Sequence, residues 1–125
     1  MVKQEQVKRP IVSIVDDDLS VRESLKMLFE SAEFDAEAFA SAEEFLSAGH
    51  IGEFACLVLD VQLPGISGIE LKSRLRAEGN NIAIIFVTAH PDANTRELAM
   101  HAGAIRFFSK PFRGHDLLRA VRTRQ

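Results

Sequence analysis

One cysteine, no long apolar run and little net charge set the first limits on this chain. Cys56 has no partner for an internal disulfide. Its place in the apolar stretch from Ala55 to Leu59 reads as a buried, inert thiol, and the matching compartment is reducing and cytoplasmic. No apolar run approaches the roughly 20 residues that span a bilayer, so no membrane partner is expected. The opening residues, MVKQEQVKRP, lack the apolar core of a secretory signal. A formal net charge of -3 gives no electrostatic ground for direct nucleic-acid binding by this segment. His50, His90, His101 and His115 fall at no zinc spacing and read as surface residues. No repeat, low-complexity tract or linker is visible. What remains is 125 residues, 46% hydrophobic and 26% charged, enough for one core and not for two.

Hydrophobic spacing divides the chain into alternating strands and helices. Ile11 to Val15 reads as a strand, and Val21, Leu25, Leu28 and Phe29 follow at helical spacing. A weaker strand runs from Asp35 to Phe39, then a short helix carries Phe45 and Leu46 after the capping pair Ser41 and Glu44. Ala55 to Leu59 is the third strand, ending at Asp60. Leu63-Pro64-Gly65 is a loop before a helix opened by Ser67 and Glu70. Ala83 to Val87 is a strand ending at Thr88, Asn94 to His101 a helix of mostly small residues, and Ile105 to Phe108 the last strand. Leu117, Leu118 and Val121 mark the final helix. Strands alternating with helices imply a parallel sheet covered on both faces. Only residues 1–9 look like a loose tail, leaving 10–125 as the domain.

In open sheets of this class, sites lie beyond the carboxyl ends of the strands. Those ends offer Asp16 and Asp17, Asp60, Thr88 and Lys110. If the strand order is 2-1-3-4-5, strands one and three are neighbours at the point where the order reverses, and three carboxylates converge there. Two unit charges about 5 Å apart repel by about 3 kcal/mol at an effective dielectric near 20. Protonation, Lys110 or a hard divalent cation could each compensate. An all-oxygen site with few protein ligands suits Mg²⁺. A carboxylate beside such a metal and a lysine is equipped to take a phosphoryl group, with Thr88 donating to one of its oxygens.

Val15-Asp16-Asp17, Leu59-Asp60, Leu63-Pro64-Gly65, Val87-Thr88-Ala89 and Lys110-Pro111-Phe112 stand in this order along the chain. Together they resemble the signature of response-regulator receiver domains, over residues 11–124. Ser41 to Leu46 and Asp16-Asp17-Asp18 further resemble the receivers of FixJ-type regulators. The resemblance implies an α/β, flavodoxin-like (βα)5 doubly wound parallel sheet in the order 2-1-3-4-5, with three α/β/α layers. Asp60 would accept a phosphoryl group from a sensor histidine kinase. Asp17, Asp60 and the backbone carbonyl of Gln62 would bind Mg²⁺ directly, and Asp16 through water. Thr88 and Lys110 would contact the phosphoryl group. Phe107 takes the place of a switch aromatic that is often tyrosine, and its ring has no hydroxyl. Lys110-Pro111 would be a cis peptide. The face of fourth helix, fifth strand and fifth helix would control an output domain or downstream protein, or form a homodimer on phosphorylation. Gln62 and His90, each two residues past a site residue, would tune the phosphoryl lifetime.

Simpler roles stand beside these. Asp18 or Ser20 reads as a helix cap, Gly65 and Gly68 as turn glycines, and Arg119, Arg122 and Arg124 as cations complementing a helix C-terminus. One of Phe107 and Phe108 reads as plain core. A phosphohydrolase of the haloacid-dehalogenase kind would want an aspartate where Gln62 stands, and a cap domain. A flavodoxin would need phosphate donors where Asp16-Asp17-Asp18 would repel. A degenerate scaffold would not retain the acceptor, acidic pair, threonine and lysine together.

Overall fold

The structure is a computed structural model that describes residues 9–89 and 92–124. Five strands, β1 (Ile11–Val15), β2 (Asp35–Phe39), β3 (Phe54–Asp60), β4 (Ala83–Thr88) and β5 (Arg106–Ser109), form one sheet. All neighbours are parallel, in the order β2-β1-β3-β4-β5. Parallel strands need crossovers, and the helices supply them: α1 (Leu19–Ser31), α2 (Ala42–Leu46), α3 (Gly68–Ala77), α4 (Ala93–His101) and α5 (Gly114–Arg122). A short 3-10 turn, Ile51–Glu53, leads into β3.

Alternation along each central strand splits the core in two. Val12, Ile14, Cys56, Val58, Ile85 and Val87 pack against Leu25 and Phe29 of α1 and Leu117 and Val121 of α5. Val15, Leu57, Leu59, Ile84 and Phe86 pack on the other face against Phe45, Leu71, Leu75 and Ala99 from α2, α3 and α4. The central strands are therefore apolar on both sides, as a sheet covered on two faces requires. Cys56 is fully buried, and burial pushes its thiol up to about 11, which leaves it protonated and unreactive.

The helix starts are set by their caps. Asp18 accepts from the backbone N–H groups of Ser20 and Val21. Ser41 accepts from Glu44 N–H at 3.0 Å, and Ser67 from Glu70 N–H at 3.1 Å. At the far end of α5, Arg124 donates to the Val121 carbonyl at 2.8 Å, so this cation does serve the helix C-terminus. The Lys110–Pro111 peptide is cis.

Two expectations need correction. Neither Phe107 nor Phe108 is fully buried. They point to opposite faces, one toward each core, but β5 is an edge strand with cover on one flank only. His50 is not a free surface residue. Its Nε2 lies 2.9 Å from Glu37 and its Nδ1 2.8 Å from the Ala48 carbonyl. With a partner on each nitrogen, the ring clasps β2 to the segment before β3. That contact raises its pKa, first through the Glu37 bond and then through the Ala48 carbonyl. His101 and His115 are exposed, and His90 lies outside the described residues.

Candidate functional site

β1 and β3 lie side by side, in register from Val12 opposite Cys56 to Val15 opposite Leu59. Their carboxyl ends therefore deliver Asp16 and Asp60 to one place. Asp16 N–H still donates to the Phe39 carbonyl at 3.1 Å, which holds the β1 end against β2. Arg22, on α1, donates to the Asp16 carbonyl at 2.7 Å. Asp60 is the last residue of β3 and receives the N–H of Gln62 on Oδ1 at 3.0 Å. The next helix begins close by. A Cβ at Gly68 would fall on the Asp60 carbonyl oxygen, so only glycine lets α3 start there.

Ligand oxygens of Asp16, Asp17 and Asp60 lie within 4.8 Å of one another. Asp16 and Asp60 are buried, at 1% and 6% exposure, and Asp17 faces solvent. Lys110 answers the two buried carboxylates together: Nζ donates to Asp16 Oδ2 at 2.8 Å and to Asp60 Oδ2 at 3.2 Å. Asp16 Oδ1 also accepts the N–H of Asp18 at 2.9 Å, so both of its oxygens are engaged. By contrast, no hydrogen bond or ion pair engages the Asp17 side chain among the described residues.

Burial pushes the Asp60 pKa up, and the charge of Asp16 adds to the push; the Gln62 N–H and Lys110 oppose it without cancelling it. Burial disfavours the charge on Lys110, but the bonds and charges of Asp16 and Asp60 outweigh burial and raise its pKa. Three carboxylates facing one ammonium leave a formal excess of two negative charges. A hard divalent cation meets that excess, and the donors are all oxygen. The exposed Asp17 carboxylate offers such an ion an open approach.

Thr88 ends β4, fully buried, one strand from Asp60. Its carbonyl accepts the backbone N–H of Lys110 at 2.7 Å. Phe107 lies opposite Phe86 on β5, with the Arg96 guanidinium 5.9 Å from its ring centre. The structure thus gathers Asp16, Asp17, Asp60 and Lys110 into contact range, sets Gln62 beside Asp60, and places Thr88 and Phe107 at the neighbouring strand ends. Arg22 and the fit of Gly68 against Asp60 were not read from the sequence. Neither carries a local pattern, because each acts on backbone brought near by folding.

The sequence model of the response regulator receiver domain matches residues 12–122. Nodulation protein W of Bradyrhizobium diazoefficiens is 45% identical over 113 residues, 90% of this chain and 50% of that protein. The transcriptional regulatory protein FixJ of Azorhizobium caulinodans is 43% identical over 111 residues, 89% of this chain and 53% of that protein. A low-resolution structure of the response regulator StyR superposes with a TM-score of 0.84 at 47% identity, covering 92% of this chain and 58% of that one. The chain spans about half the length of the curated relatives it matches.

The raised pKa of Asp60 carries a stability consequence. Ionising a carboxyl whose pKa is higher in the folded state costs stability, from about pH 4 upward and in full above the folded pKa. Asp60→Asn removes the charge and keeps an oxygen for the Gln62 N–H. In metal-free buffer at pH 7 the variant should unfold at a higher denaturant concentration than the parent. The gain should shrink as the pH falls toward 4. Denaturant melts across that range check it, and a variant less stable than the parent at pH 7 would show that the Lys110 pairing outweighs burial.

Proposed function

This chain belongs to the response regulator receiver domain family, and on that membership we propose that it is a phosphorylation switch with Asp60 as the acceptor. The observation that carries this reading is the Lys110 ammonium shared between two buried carboxylates beside an unengaged third. Asp17, Asp60 and the backbone carbonyl of Gln62 would hold Mg²⁺ directly, with Asp16 acting through a bound water. When bound, the ion neutralises carboxylate and phosphoryl oxygens. An Asp60 oxygen attacks the phosphorus of a sensor kinase's phosphohistidine. The P–O bond forms as the P–N bond breaks, and the bond pair leaves with the imidazole. Lys110, already 3.2 Å from Asp60, then follows the charge onto the phosphoryl oxygens, and the Thr88 hydroxyl donates to another. Hydrolysis returns the free carboxylate, and Gln62 and His90 set how fast water reaches it.

Residues 10–125 form the receiver unit in this reading, with 1–9 as its tail. It works in the cytoplasm, within or beside a FixJ-like regulator whose output domain or downstream partner it controls. The output face is α4, β5 and α5. Ala99 is the one buried residue of α4, and Leu98 and Met100 are exposed, so this helix is lightly held. Drawing Thr88 toward a phosphoryl group vacates space that the Phe107 ring can enter. Moving such an equilibrium from 1:99 to 99:1 takes about 5.5 kcal/mol of differential interaction, within reach of several charge-assisted hydrogen bonds. The rearranged face would also serve a homodimer that forms on phosphorylation.

With Mg²⁺ and acetyl phosphate, intact mass should rise by one phosphoryl group, and Asp60→Asn should abolish the gain. Undiminished labelling of that variant would sink the acceptor assignment. Asp17→Ala should weaken Mg²⁺ binding more than Asp16→Ala, since it removes a direct ligand; losing a residue that reaches the metal through water typically costs about 10–100-fold. Calorimetric titration of both variants decides, and equal or reversed losses would mean the two roles are exchanged. Beryllofluoride should change amide exchange chiefly between Thr88 and His115, and Thr88→Ala should reduce the change. Exchange altered only around Asp16, Asp17 and Asp60 would show a phosphate site that does not signal through this face.

A further inference from the structure

The loop from Val61 to Ser67 leads from the acceptor strand to α3 and carries Gln62. It is fastened at its start, where Gln62 N–H donates to Asp60, and at its end, where Gly68 N–H donates to the Val61 carbonyl at 3.0 Å. Val61 and Leu63 are buried beneath it, while Gln62, Pro64 and Gly65 face solvent. A third fastening comes from another element. Ile66 N–H donates to Oε2 of Glu43, on α2, at 3.2 Å. This approach requires glycine at position 65, where φ is +74° and a Cβ would fall on the Glu43 carboxylate. The base of the fastening is firm. α2 has five residues, too few to hold itself. Ser41 caps it, and Phe45, fully buried, packs against Phe39 at 5.4 Å and Phe54 at 5.6 Å.

We infer that Glu43 is a positioning residue for the metal site: its carboxylate holds the loop across Gly65 and Ile66 so that the Gln62 carbonyl stays beside Asp60. The inference rests on the reading of Gln62 as a metal ligand. Glu43 touches neither metal nor phosphoryl group and acts through the backbone it ties. Val61 N–H also donates to the Val87 carbonyl of β4 at 3.0 Å, so without the Glu43 tie the loop is held at its ends and by the packing of Val61, Leu63 and the half-buried Ile66, and the carbonyl between samples more positions before an ion can use it. A ligand that must first be ordered binds the ion more weakly.

Glu43→Ala and Glu43→Gln separate the tie from the charge. The amide oxygen of glutamine can accept the same bond, whereas alanine cannot. Mg²⁺ affinity by calorimetry, melting temperature and amide exchange are measured on the parent and both variants. Glu43→Ala should raise the Mg²⁺ Kd about 3–10-fold, at or below the range for outer-shell partners of a metal site. Exchange at Gln62 and Ile66 should quicken in that variant. Glu43→Gln should stay within about twofold of the parent in Kd and keep the exchange slow. A lower melting temperature in Glu43→Ala with an unchanged Kd would overturn the inference, leaving Glu43 merely structural. Equal weakening by glutamine and alanine would overturn it too, since the carboxylate would then act through its charge. A parent that takes up no Mg²⁺ would bring down the metal reading and this inference with it, an outcome distinct from the other two.

Discussion

The Lys110 ammonium between Asp16 and Asp60 is the contact on which the rest of the site depends. It joins residues 94 and 50 positions apart, so it exists only when β1, β3 and β5 are all in register. Two buried carboxylates without it would carry their mutual repulsion and their burial unrelieved, and such unpaired buried charge costs several kcal/mol. Lysine suits the position better than a planar guanidinium would. It is a compact charge on a flexible stem, able to serve two carboxylates at once. The pairing is incomplete by construction, because one cation faces three anions. A divalent ion would relieve that deficit.

Much of this arrangement was legible in the sequence because each site residue closes an apolar run. Asp16 after Val15, Asp60 after Leu59 and Thr88 after Val87 mark strand ends, and a parallel sheet puts strand ends together. The capping pairs Ser41–Glu44 and Ser67–Glu70 placed two helix starts for the same reason: the signal is local. The strand order itself came from resemblance, since periodicity does not choose neighbours. What escaped reading acts across distance. His50 finds Glu37, 13 residues away, and Ile66 finds Glu43, 23 residues away, because folding brings α2 and β2 beside later loops. The half-burial of Phe107 and Phe108 escaped as well. Alternation gives a residue's face, whereas edge position decides how much of that face is covered.

The helices are fastened to the sheet unequally. Leu25 and Phe29 anchor α1, and Leu117, Ala120 and Val121 anchor α5, whereas α4 rests on Ala99. The lightly held helix directly follows the strand that ends at Thr88, with residues 90 and 91 between them outside the described chain. A lightly anchored helix needs less free energy to relocate than a well-packed one. Thr88 and Lys110 are also joined through the main chain, by the bond from the Lys110 N–H to the Thr88 carbonyl.

The clasp between His50 and Glu37 has a thermodynamic reach beyond its place at the sheet edge. The folded chain holds a proton at His50 more firmly than an unfolded chain does, and the same is true at Asp60. Folding is therefore coupled to hydrogen-ion uptake at both positions, over different intervals of acidity. At Asp60 the uptake begins near the ordinary carboxylate range, and at His50 near neutrality. Each makes the native state lean toward acid: rising pH works against the fold at Asp60 from the ordinary carboxylate range upward and at His50 from near neutrality upward, so hydronium acts as a weak ligand of the fold.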